Sequence, residues 1–159
     1  MKRRDVLSHL LTSAMAGVLL GARPAFAYEV THSDEEWKKL LSPAAYEVLR
    51  HEDTEAPGTS PLNKEHRKGV FACAGCALDL YSSDTKFDSG TGWPSFYRPL
   101  TNAVATKTDR TLGVARTEVH CRRCGGHLGH VFDDGPRPTG LRYCMNGVAL
   151  TFKPAAKTA

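Results

Sequence analysis

The sequence predicts an all-β core behind a short helical N-terminal extension. Three observations lead there. From Gly69 onward, short apolar runs alternate with clusters of Gly, Pro, Asp and Ser, the texture of strands and turns. No helical period is sustained in that region, and its one repeated feature is a doubled Cys pair. Ahead of it lie two segments with helix-start signatures.

The first 27 residues read as an export signal, not as structure. Met1-Lys2-Arg3-Arg4 is positive, the stretch to Gly21 is mostly apolar, and Ala25-Phe26-Ala27 is a small-x-small cleavage site. Arg3-Arg4 followed by Val6 and Leu7 resembles a twin-arginine signal, which predicts a periplasmic or otherwise exported protein. The whole chain carries a net charge of +4, but the leader holds Lys2, Arg3, Arg4 and Arg23 against Asp5 alone. Residues 28–159 are therefore nearly neutral, with no charge footprint for nucleic acid or an anionic membrane. The whole chain, with 41% hydrophobic and 24% charged residues, has the composition of one globular domain.

In the mature chain, Ser33 caps a first helix, with Glu36 placed to close a capping box and Trp37, Leu40 and Leu41 as its apolar side. Ser42-Pro43 starts a second, anchored by Tyr46, Val48 and Leu49. Residues 53–68 are polar and hold Pro57, Gly58 and Pro61, so they read as an irregular connection wrapping the domain. Strands are expected at 70–72, 78–81, 104–107, 112–120, 128–132 and 141–152.

Cys73-Ala74-Gly75-Cys76 and Cys121-Arg122-Arg123-Cys124 are two Cys-x-x-Cys pairs with 44 residues between them. Two residues between thiolates let both sulfurs of one turn meet one ion, and two such turns make a closed tetrahedral Cys₄ zinc site. Two disulfides are the competing reading for an exported protein. Cys144 then stands alone. In an extended strand Arg142, Cys144 and Asn146 share one face, which puts a thiol between a cation and an amide. A buried, inert thiol is the competing reading. His127 and His130 lie close to the second Cys pair, and a His pair near a lone thiol suits acid–base work. Strict alternation would separate them, so a bulge at Gly129 is required if both serve one site. Trp93, between Gly92 and Pro94, is either core or an apolar wall beside the thiol.

Together these motifs closely resemble the B-type peptide-methionine (R)-sulfoxide reductases. The resemblance rests on Cys73-x-x-Cys76, the run from Phe87 to Phe96 with Gly90-Thr91-Gly92-Trp93, Arg116-Thr117-Glu118-Val119, Cys121-x-x-Cys124, the run from His127 to Phe132, Asp134-Gly135-Pro136, Pro138-Thr139-Gly140 and Arg142-Tyr143-Cys144. It spans about residues 33–152 and implies two antiparallel β-sheets with one structural zinc ion on Cys73, Cys76, Cys121 and Cys124. It implies that Cys144 attacks the sulfoxide sulfur, that His127 and His130 serve its oxygen, and that Asn146 supports them. Trp93 and Phe132 would contact the substrate, and Arg142 would assist the thiolate. Oxidised methionine in proteins is then the substrate, and a thioredoxin-like or other thiol the reductant. Thr91 stands where many such enzymes carry a second, resolving Cys, which predicts a one-cysteine cycle. Met145-Asn146-Gly147 departs from the more familiar Ile-Asn-Ser: Met145 reads as a packing swap, and Gly147 as a loosening of the support around Asn146. A non-enzymatic zinc module is the alternative, but it leaves Cys144 and the His pair without a task. A general thiol–disulfide exchanger would need a second redox thiol beside Cys144.

Overall fold

The computed structural model describes residues 27–156. The export signal lies outside the described residues except for Ala27. Two helices come first. In α1 (Asp34–Leu40) the Glu36 amide donates to Ser33 Oγ at 3.3 Å, and the Ser33 amide donates back to the Glu36 carboxylate at 2.7 Å. Two free amides of the helix start are thereby satisfied. In α2 (Pro43–His51) Ser42 Oγ accepts from the Ala45 amide at 3.2 Å, and Pro43 occupies the first turn, where no amide donor is required. Trp37 and Leu41 are buried as expected. Leu40 is 60% exposed, because it falls on the solvent side of the short α1.

The rest is β structure in two antiparallel sheets. A three-stranded sheet has the order β2-β1-β9, from β1 (Gly69–Cys73), β2 (Asp79–Ser82) and β9 (Leu150–Pro154). A six-stranded sheet has the order β3-β4-β8-β7-β6-β5. Its strands are β3 (Lys86–Phe87), β4 (Ser95–Phe96), β5 (Val104–Asp109), β6 (Arg116–Cys121), β7 (His127–Phe132) and β8 (Arg142–Met145). The expected strand at 141–152 is thus two strands in different sheets. The chain breaks at Asn146 and turns through a 3₁₀ segment, Gly147–Ala149, before crossing over. The expected strand at 112–120 begins only at Arg116, since Gly113, at φ 76°, turns the β5–β6 hairpin.

Aromatic side chains join the two sheets. Phe71 on β1 and Tyr81 on β2 meet Phe96 on β4, with ring centroids 5.0 and 4.4 Å apart. Met145 on β8 is fully buried, and its sulfur accepts a hydrogen bond from the Tyr81 hydroxyl at 3.1 Å. The sulfur therefore fills the core and satisfies a buried hydroxyl together, the behaviour of a packing residue. Each such side chain contributes roughly 1.5–3 kcal/mol by burial. Tyr143 and Met145 face this core, so Cys144 between them points to the other face of β8.

Candidate active site and four-cysteine cluster

Cys144 lies in the middle of the large sheet, paired with His130 on β7 and with Ser95 on β4. Its thiol is half-buried and free. It opens into a pocket of about 120 Å³ lined by Thr54, Trp93, Arg116, His130, Phe132 and Asn146, with Gly129 beneath. Thr91 Oγ1 lies 3.7 Å from the sulfur. Thr91 continues into Ser89 at 2.8 Å and Ser95 at 2.7 Å, a short chain of hydroxyls ending beneath the thiol.

The His pair depends on a bulge. Val119 pairs with Gly129 and His120 with His127, so Leu128 is an extra residue in β7. Gly129 takes φ 153°, and a Cβ there would meet the Cys144 carbonyl oxygen at 2.1 Å. The bulge cancels the alternation and brings the His127 and His130 rings to 5.4 Å centroid separation. His127 is buried, with Nδ1 3.0 Å from the Glu118 carboxylate and Nε2 without a protein partner. Glu118 is itself buried and also sits 2.9 Å from Lys107 Nζ. Burial pushes its carboxyl up, but His127 and Lys107 together hold it below the usual value.

His130 Nε2 lies 2.7 Å from Asp109 Oδ2 at the end of β5. Asp109 accepts from the Thr111 amide and hydroxyl at 2.8 and 2.7 Å, and from Arg116 at 2.5 Å. Those Thr111 hydrogen bonds, with the ones from His130 and Arg116, hold Asp109 well below the usual carboxylate range. Desolvation lowers His130, and Arg116 and His127 add to that; the hydrogen bond to Asp109 opposes it.

The 53–68 connection, expected only to wrap the domain, passes over the site, and Glu55 is its fastener. The Glu55 amide donates to Asn146 Oδ1 at 3.0 Å, and its carbonyl accepts from Trp93 Nε1 at 3.0 Å. Its carboxylate accepts from the Gly147 and Val148 amides, the latter at 3.1 Å. Asn146 Nδ2 in turn donates to the Leu128 carbonyl at 3.2 Å. The Asn146 amide is thus consumed in tying loop, bulge and β8 together. Gly147 is not loose: a Cβ there would meet Ser60 Oγ at 1.8 Å, so the missing side chain makes room for Ser60. Arg142 is not part of the pocket lining but is close to the thiol: Asp134 first, and Cys144 after it, push its guanidinium up. Its guanidinium forms two 2.8 Å hydrogen bonds to Asp134 and lies 4.4 Å from the Phe132 ring centroid, fixing that ring from behind.

The other four cysteines form a separate cluster. Cys73 ends β1, Cys121 ends β6, and Cys76 and Cys124 follow in the turns. Their sulfurs lie within 4.8 Å of one another, with Cys73–Cys124 at 3.7 Å and Cys76–Cys121 at 3.5 Å. Sulfurs about 3.8 Å apart are what four bonds of about 2.3 Å to one tetrahedral ion require. A disulfide needs about 2.05 Å. Thiol hydrogen bonds from Cys121, Cys124 and Cys73 pull Cys76 down, while the same cluster pushes Cys73 up. Four thiols so crowded ionise together only around a cation, so these four residues can hold one metal ion.

The SelR domain model matches residues 41–154 of this chain. The peptide methionine sulfoxide reductase MsrB of Leptospira interrogans is 55% identical over 127 residues, covering 79% of this chain and 97% of that protein. The proteins of the same name from Leifsonia xyli and Methanosarcina barkeri are 55% identical over 129 and 125 residues, covering 80% and 78% of this chain and 93% and 88% of theirs. The chain belongs to the MsrB family.

In this MsrB chain, Trp93, His130, Phe132, Cys144 and Asn146 meet at one pocket, with His127 behind His130 and Arg142 behind Phe132. Sequence reasoning missed Glu55, Asp109 and Glu118. An acid that buttresses a site looks like any surface acid until its partners are known. Of the three, only Glu118 carries a local signal, a charge within an otherwise strand-like run that ends at a Cys pair.

Proposed function

We propose that this MsrB protein reduces methionine-R-sulfoxide, in proteins and as the blocked amino acid, to methionine. The observation that carries the reading is the half-buried Cys144 thiol in a pocket lined by the Trp93 indole and the His130 imidazole, apart from the four-cysteine cluster. The Cys144 thiolate attacks the sulfoxide sulfur while the oxygen takes up a proton. His130, which lines the pocket and is held by Asp109, donates it. His127 Nε2, without a protein partner, serves the same oxygen or a water beside it. With a second proton the oxygen leaves as water, so the S–O bond breaks and the substrate sulfur is held by its new bond to Cys144. Water then attacks the Cys144 sulfur, that S–S bond breaks, methionine leaves, and Cys144 is left as a sulfenic acid. The substrate sulfur gains two electrons and the Cys144 sulfur loses two. An external dithiol, such as a thioredoxin-like protein, returns the thiol and is oxidised to a disulfide as water leaves. Thr91 in the resolving position supports this one-cysteine cycle.

Trp93 and Phe132 receive the methyl group and the imidazole side receives the oxygen, so the S epimer places each against the wrong wall. We assign the four-cysteine cluster to one structural zinc ion, supported by its all-thiolate donors and tetrahedral spacing. The protein is further proposed to be exported, from its leader sequence. A non-enzymatic zinc module is disfavoured, since it gives the Cys144 pocket no role. With dithiothreitol as reductant, the R epimer of N-acetyl-methionine sulfoxide should turn over and the S epimer should not, and Cys144→Ser should abolish turnover. Equal use of both epimers, or activity surviving Cys144→Ser, refutes the proposal.

A further inference from the structure

The pocket at Cys144 has room for the methylsulfinyl end of one side chain, not for the residues that flank it. A larger groove of about 660 Å³ shares its Arg116 and Phe132 wall and runs on toward the β5–β6 turn. Most of its other lining is apolar, with Leu112 and Val114 on the turn, Val131 beside Phe132 on β7, and Leu141 ahead of β8, while Thr117 and Asp133 are its polar members. Leu112 is 71% and Val114 68% exposed. A single exposed apolar residue needs no explanation. Two such residues on one turn, facing a half-buried apolar floor that is continuous with a reactive pocket, form a patch of the kind that receives a partner.

We propose that this groove is the docking surface for an extended protein segment, and that it selects an apolar residue two positions from the methionine sulfoxide. The proposal rests on the reductase reading and names its substrate class. In an extended chain, residues two apart project to the same side, about 6.6 Å apart. A segment with its sulfoxide over Cys144 therefore directs its next same-side residue along the shared wall and into the groove. Free methionine sulfoxide has nothing to place there.

The test uses the chain from Tyr28 onward and its Leu112→Ser/Val114→Ser variant, whose changes are on the surface and should leave Tm unmoved. Three substrates are compared: the blocked amino acid in its R form, a pentapeptide with central sulfoxide and Ala at both ends, and the same peptide with Leu at both ends. The Leu peptide should exceed the Ala peptide in kcat/KM by about tenfold, through KM, a factor equal to about 1.4 kcal/mol. The variant should lose that advantage while its rate on the blocked amino acid is unchanged. Equal rates for the two peptides, or an advantage that survives in the variant, overturn the proposal. So does a wild-type dimer that the variant dissociates without any change in peptide preference, which would give the groove to a second copy. Binding of both peptides to Cys144→Ser protein, read by fluorescence anisotropy, reports the groove without chemistry. Preferential Leu-peptide binding with no turnover of the blocked amino acid would sink the reductase reading and leave the groove standing.

Discussion

His130 is set by two opposing influences. Burial disfavours its charged form, and the Asp109 carboxylate at 2.7 Å favours it. Replacing Asp109 with Asn removes the favourable partner and frees Arg116, whose positive charge also disfavours imidazolium. Both changes lower His130 further. If protonated His130 delivers the proton to the sulfoxide oxygen, activity falls as pH rises through its pKa. The basic limb of kcat/KM against pH should therefore move to lower pH in Asp109→Asn, and the rate near pH 7 should drop. General acids contribute roughly 10²–10⁴-fold, so a loss of about tenfold is expected from mispositioning alone. A pH profile identical in shape to that of the parent would mean that another group protonates the oxygen.

At the scale of elements, the strap over the site is fixed by one acid. Glu55 closes the free amides at the start of the 147–149 turn and also carries Trp93 and Asn146 through its own main chain. Glu55→Ala leaves two amides without acceptors, a loss of about 1–3 kcal/mol. It should also let Trp93 drift, raising KM more than it lowers kcat, whereas Glu55→Gln keeps one acceptor and should recover part of the loss. An Ala variant with unchanged KM would restrict Glu55 to stability. This strap also marks how far the sequence could be read. The helix caps at Ser33 and Ser42, the Gly129 bulge and the two Cys pairs are local signals, each legible from a few neighbouring residues. The two-residue strands Lys86–Phe87 and Ser95–Phe96 are too short to carry a period. The break at Asn146 is set by two sheets meeting, and the task of Glu55 by residues some ninety positions away. None of those can be read from neighbours in sequence.

Across the whole molecule, the four-cysteine cluster has the largest reach. Cys73 belongs to the three-stranded sheet and Cys121 to the six-stranded one, so an ion held by all four thiols ties the two sheets at one end. The aromatic contacts of Phe71, Tyr81 and Phe96 tie them elsewhere. An ion bound at the cluster would add to a core that already exists, unlike in a small zinc finger that has little else. Cys124→Ser should lose the ion, measured as one equivalent per chain in the parent by elemental analysis. It should also leave three crowded thiols in a partly buried site. Structural zinc contributes about 10–16 kcal/mol in peptides that fold only with metal; here part of that is replaced by residual packing. A loss of several kcal/mol would still lower Tm by more than about 10 °C in a domain of this size. Cys144→Ser, by contrast, should abolish turnover with metal content and Tm unchanged, because Cys144 is no part of the cluster. If Cys124→Ser melts with the parent, the two sheets are held by their aromatic core alone and the cluster has no structural task.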